Sequence, residues 1–138
     1  MPKSIKTLTL AEAEQISAKV EDEASSRSLL MCFTIVDCGG REILSKRMDG
    51  AKFTSVSIAR NKALTSSGHM KPTSVLGTAG NRSIELSNNQ MFSVVGGGRP
   101  ICFEGEVVGA VGISGGTPAE DDEIARNAIG SVFPQSKL

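Results

Sequence analysis

The sequence has no tryptophan, no tyrosine and five phenylalanines in 138 residues. So few aromatics exclude a base-stacking platform for single strands and an aromatic cage for a quaternary cation. Charge of one sign is missing too, since 15 Lys and Arg balance 15 Asp and Glu. That balance argues against a basic nucleic-acid footprint and an acidic disordered tail. No apolar run near the N-terminus resembles a signal peptide, and none approaches the ~18 residues of a membrane span. The cysteines are Cys32, Cys38 and Cys102, and His69 is the one histidine. Their spacing fits no structural zinc site. An odd cysteine count without a secretory signal predicts reduced thiols in the cytoplasm. The expectation is therefore a cytoplasmic domain without metal, membrane or nucleic acid. Zero net charge does little for solubility, so part of the surface is expected to be buried in a homo-oligomer.

Glycine is in excess, at 15 residues against a usual share of roughly 7%. The length predicts a single domain over residues 1–138. Thr9-Leu10-Ala11-Glu12 reads as a capping box. Leu10, Ala13, Ile16, Val20 and Ala24 follow at helical spacing, predicting a helix over 9–26. Residues 29–37 are apolar on both alternating faces, which predicts a strand covered on both sides. Gly39-Gly40 predicts a hairpin turn with two left-handed positions, and 42–48 returns as the partner strand. Asp49-Gly50 marks the next turn. A helix is predicted over 53–67, with Thr54 as cap, Gly68 at its C-terminal stop, and Val56, Ala59, Ala63 and Leu64 on one face. Lys71-Pro72 breaks the pattern. Residues 73–90 read as an irregular loop anchored by Leu76, Ile84 and Leu86. A second hairpin is predicted from Ile101 through the turn at Glu104-Gly105 to Ser114. Thr117-Pro118-Ala119-Glu120 opens a final helix whose buried face carries Ile124 and Ala128. Paired strands separated by helices predict an antiparallel α+β architecture.

Several segments together resemble a known family. Val36-Asp37-Cys38-Gly39-Gly40 and Lys46-Arg47-Met48-Asp49-Gly50-Ala51 resemble the VDxGG…RMDGA signature of the GlcG/HbpS family. That family includes the C-terminal domain of PduO-type corrinoid adenosyltransferases. Ala59 with Lys62-Ala63, Gly97-Gly98-Arg99-Pro100-Ile101, the run from Gly105 to Gly116, and Asp122-Glu123-Ile124-Ala125 match in the same order. The resemblance covers roughly residues 8–131. It implies a profilin-like fold, an antiparallel sheet layered with helices (α/β/α). It also implies oligomers and, in some members, haem binding or degradation, so haem is the cofactor to test.

The candidate site residues follow from both readings. His69 is either an axial haem ligand or a polar side chain favoured by a helix C-terminus. Met48, Met70 and Met91 are possible soft ligands or packing residues. Gly96-Gly97-Gly98 would let backbone approach a ligand whose carboxylate Arg99 grips. Lys62 would hold a carboxylate or pair with Asp49, and Arg47 sits nearby in sequence. The binding reading thus uses Gly97, Gly98, Arg99, Lys62, Arg47 and His69 around an anionic planar or carboxylated molecule. An enzyme reading, a cofactor-independent hydrolase or isomerase, uses Lys62, Arg47, Asp49 and Glu123, with Asp37 another proton carrier. Cys38 is a candidate nucleophile if His69 folds onto it. Ser114-Gly115-Gly116-Thr117 offers N–H groups to an anion or simply caps a helix. A third reading is an accessory partner of another enzyme.

Overall fold

The computed structural model describes residues 1–77 and 82–136. The chain runs α1 (Leu10–Ser26), β1 (Cys32–Asp37), β2 (Glu42–Arg47), α2 (Thr54–His69), α3 (Thr73–Leu76) and α4 (Arg82–Leu86). A 3-10 turn (Asn88–Gln90), β3 (Gly98–Phe103), β4 (Glu106–Ser114) and α5 (Pro118–Val132) complete it. The strands form one antiparallel sheet in the order β2-β1-β4-β3. The expected α+β class holds. Among the described residues, no helix is long and apolar enough to cross a membrane.

Helices cover both faces of the sheet. Phe33, Ile35, Val111 and Ile113 point one way and pack with Ile16 and Val20 of α1 and Ile124 and Ala128 of α5. Val36 and Ala110 point the other way and meet Ala63 of α2. Side chains alternate along a strand, so neighbours in sequence serve opposite layers. Both outer helices start on the capping boxes read from the sequence. Thr9 and Glu12 exchange hydrogen bonds at the head of α1, and Thr117 and Glu120 do so at α5.

Helix α2 departs from expectation in three ways. Thr54 does not cap it; Phe53 holds the cap position without a side-chain hydrogen bond. Gly68 does not stop it; the helix runs on to His69, and Met70 takes the left-handed position (φ 56°). Gly68 faces open space, so nothing there halts the helix, and Pro72 supplies the break by disfavouring helical backbone before it. The buried face is also rotated. It carries Ser55, Ala59, Lys62, Ala63, Thr65, Ser66 and Ser67, while Val56 and Leu64 are half-buried. The reason is proximity. A Cβ on Gly112 would overlap the Ala59 carbonyl and the Ala63 nitrogen, and one on Gly98 would overlap the Lys62 carbonyl. Gly98 and Gly112 are cross-strand partners. The helix backbone therefore rests on the sheet backbone, and only small side chains fit between.

Smaller corrections follow from local geometry. β1 begins at Cys32 rather than at residue 29. Ser28 turns left-handed and the Leu29 N–H bonds back to the Ala24 carbonyl, so Leu29 and Leu30 finish the helix exit. β2 ends at Arg47, although the Met48 N–H still bonds to the Met31 carbonyl at 3.0 Å. In the first hairpin turn only Gly40 is left-handed (φ 79°). Residues 73–90 contain α3, α4 and the 3-10 turn rather than an irregular loop, and 78–81 of that stretch lie outside the described residues. β3 starts at Gly98, three residues before the predicted Ile101.

Two glycine substitutions on this frame should act in opposite directions. Gly112→Ala should lower stability by about 1–3 kcal/mol or prevent folding, because overpacking there meets backbone. Gly68→Ala should raise it by about 0.5–1 kcal/mol by restricting the unfolded chain. Urea denaturation followed by circular dichroism measures both.

Candidate functional site

The most buried charge in the chain is Lys62, only 2% exposed. Its ammonium donates to the Ile113 carbonyl at 2.8 Å and to Asp121 Oδ2 at 3.0 Å. Asp121 is equally buried, and its Oδ1 accepts the Gly116 N–H at 2.8 Å. Lys62 therefore does not pair with Asp49, which is exposed. The pair ties α2 to the end of β4 and to the first turn of α5. Burial pushes the Asp121 carboxyl above its ordinary value, and the attraction of Lys62 only partly offsets this. The folded chain then holds that proton more tightly than the unfolded chain. The carboxyl's contribution to stability is lost as pH rises through its folded value.

The other candidates are dispersed. Arg99 grips Asp122 with Nε at 2.9 Å and a terminal nitrogen at 3.2 Å. The fork expected to hold a ligand carboxylate thus holds one from α5. Gly97 and Gly98 are buried. Gly97 accepts the Ile113 N–H and faces Lys62 and Asp121, and Gly98 lies against the Lys62 backbone. They serve packing rather than a rim. Gly96 instead borders a cleft of about 570 Å³ with Ser74, Val94, Pro118, Asp122 and Arg126. Arg47 and Asp49 are exposed, and Glu123 pairs with Arg27 at 3.3 Å. Asp37 accepts the Gly39 and Arg41 N–H groups and so shapes the turn. Cys38 is half-buried, with its N–H on the Thr7 hydroxyl. Cys32 and Cys102 are buried, and burial raises both thiols away from the reactive thiolate. At the Ser114–Thr117 turn, the Gly116 N–H is already taken by Asp121.

His69 is held in a defined pose. It is half-buried at the end of α2, with Nδ1 3.3 Å from the Thr65 carbonyl. Phe92 meets the ring edge-on, with centroids 5.0 Å apart and planes at 82°. Thr65 also accepts the Ser93 N–H at 2.8 Å, which staples the segment carrying Phe92 onto α2. Just before it, Asn88, Asn89 and Gln90 are all left-handed. Three consecutive such residues are costly and are tolerated where surrounding structure enforces them. Met70 and Met91 are exposed beside this segment in sequence, while Met48 packs on the core.

Comparison with known proteins places these features. The family model for haem-degrading HbpS-like proteins matches residues 8–130. The chain belongs to the HbpS-like family. An uncharacterised 15.0 kDa protein from the dhaT-dhaS intergenic region of Citrobacter freundii is 38% identical over 130 residues, covering 91% of this chain and 92% of that one. The crystal structure of Klebsiella pneumoniae ORFY superposes with a TM-score of 0.92 at 34% identity, covering 99% of this chain and 97% of ORFY. A PduOC:haem complex superposes at 0.85 with 27% identity, covering 91% and 94% respectively.

Reading the sequence alone missed Asp121, Thr65 and Phe92. For Asp121 a signal existed. It is in helical phase with Ile124, Ala125 and Ala128, so it shares their buried face. In this HbpS-like chain the Lys62–Asp121 pair should behave as one unit. Lys62→Met and Asp121→Leu should each cost about 3–5 kcal/mol, because each strands a buried partner. The combined Lys62→Met, Asp121→Leu variant should cost at least ~2 kcal/mol less than the sum of its single changes. Urea unfolding of all four proteins in the cycle measures the coupling.

Proposed function

We propose that this HbpS-like chain binds haem through His69, in an assembly of copies of the chain. One observation carries the reading. A carbonyl can only accept, so Nδ1 is the donor in its contact with Thr65, and Nε2 is the ring nitrogen left for a metal. A metal-ligating histidine needs that arrangement, with the second nitrogen hydrogen-bonded to fix tautomer and orientation. Phe92 against the ring edge restricts its rotation. The donor chemistry thus suits haem iron, to which a proximal histidine is a common ligand. The likeness to a PduOC:haem complex and to the haem-degrading family description supports the same ligand. His69 is only half-buried, so haem seated there keeps apolar surface open to water. A second copy covering it removes that cost.

The catalytic alternative is left without an assembled acid–base pair. Lys62 is committed to Asp121, Glu123 to Arg27, and Arg47 and Asp49 are exposed; none of the four bonds another.

Titrating the purified full-length chain with haem should give a saturable Soret band. His69→Ala should lose that band or shift it to that of unligated haem, while circular dichroism stays unchanged. A flat titration at micromolar haem in the wild type would overturn the reading. An identical band in the His69 variant would remove His69 as the ligand. Light scattering with and without haem tests whether the bound form is an assembly of copies.

A further inference from the structure

A cleft of about 530 Å³ lies between the N-terminus of α2, residues 28–30 and the Gly115–Gly116 turn. That volume is in the range of small-molecule sites, roughly 300–1,000 Å³. Its floor needs glycine. A Cβ on Gly50 would meet Leu30 Cδ1 at 3.0 Å, and one on Gly115 would meet the Leu30 carbonyl at 2.6 Å. Both glycines are at positive φ, 86° and 147°. A side chain at either position would push against residues 30 and 31, so glycine is what lets these turns border the cleft as they do.

The chemistry of the walls is one-sided. Lys52 is the single charged residue bordering the cleft, and no acid borders it. The two helices with capping boxes satisfy their own first turns, and α5 adds Glu120 and Asp121 there. α2 has neither a capping side chain nor an acid in its first turn. Its Ser55 and Val56 N–H groups bond to the Lys52 and Phe53 carbonyls, which leaves the Thr54 N–H without an acceptor among the described residues. The positive end of the helix dipole is thus unanswered by the chain.

Ser55 supplies the independent observation. It is 7% exposed and lines this cleft. Its hydroxyl has no hydrogen-bond partner among the described residues, although Ser45, Ser66 and Ser67 all have one. A fully buried hydroxyl in that condition would be costly, and the described side chains contain no fully buried polar atom without a partner. The Ser55 oxygen therefore keeps its access through the cleft it lines.

We infer that this cleft binds a small organic anion. Its carboxylate or phosphate group is held by the Ser55 hydroxyl, the Thr54 N–H and the Lys52 ammonium. Its apolar body lies against Leu29, Leu30 and Ile58, of which Leu30 is 50% and Ile58 41% exposed. The site is independent of haem. Ser55 and His69 are 14 helical residues apart, roughly 21 Å along the axis.

The test is a proton–nitrogen NMR titration of the full chain with benzoate, with inorganic phosphate and with benzamide as the neutral isostere. Saturable shifts confined to Thr54, Ser55 and Gly115–Gly116 with an anion, and absent with benzamide, support the site. Benzoate binding more tightly indicates a carboxylate ligand, and phosphate binding more tightly a phosphorylated one. Ser55→Ala and Lys52→Glu should each weaken the tighter anion at least tenfold; Lys52 is on the surface, so its variant reports binding without risk to the fold. His69→Ala should bind the anion as wild type does, whatever the outcome with haem. No saturable shift with either anion, equal binding of benzamide, or unchanged affinity in both Ser55→Ala and Lys52→Glu would overturn the proposal.

Discussion

Everything in this molecule is arranged around the near-contact of two backbones, α2 and the β3–β4 pair. Gly98 and Gly112 face each other across the ladder and put no side chain of their own between sheet and helix, so the backbones nearly touch there. The helix can then offer only alanine, serine and threonine to that face, with one exception. Lys62 sends a four-carbon stem through the interface, and its ammonium emerges where β4 ends and α5 begins. Its stem buries apolar surface while the head requires a partner. Asp121 is that partner, and through Gly116 it fixes the turn between β4 and α5. Burial raises the Asp121 carboxyl despite the attraction of Lys62, and the pair fixes where α2 sits against β4 and α5.

Seating α2 this way sets what its two ends can do. At the C-terminal end, Thr65 holds both the His69 ring and the segment that carries Phe92. At the N-terminal end, the helix starts without a cap over a cleft floored by glycine. A rigid helix is a good platform for both, because each group's position is inherited from packing in the middle rather than from its own loop. Small shifts of α2 along the glycine track would move both ends together.

The two hairpins and the two capping boxes were legible in the sequence because they depend on local signals, whereas the layered arrangement came from the family resemblance and the β1–β4 pairing was not read at all. Periodicity at Ala13, Ile16, Val20 and Ala24 names a helix face, and Thr-x-x-Glu names its start. The buried face of α2 was not legible for the opposite reason. Hydrophobic periodicity finds helices that bury large apolar side chains, and this one buries backbone. Val56 and Leu64 drew attention by their hydrophobicity, while Ser55 and Ser66 lay at the interface. Lys62 was singled out as a site candidate or a partner of Asp49, but its partner is 59 residues away, a distance no local pattern spans. The Gly96–Arg99 segment misled for a related reason. Its glycines read as flexibility for a ligand, and what approaches them is the protein's own helix.

The even charge balance acquires a structural meaning from these contacts. Arg27 meets Glu23 and Glu123, Lys46 meets Glu21, Arg60 meets Glu42, Lys62 meets Asp121 and Arg99 meets Asp122. The exposed pairs among these add little stability, but every pair occupies a cation that an anionic ligand would otherwise recruit. The groups outside those pairs include an imidazole nitrogen at one end of α2, and a hydroxyl, an N–H and Lys52 at the other. Ligands read by so few polar groups need apolar contact for affinity. That requirement suits a flat apolar macrocycle at His69 and an anion with an apolar body at Ser55.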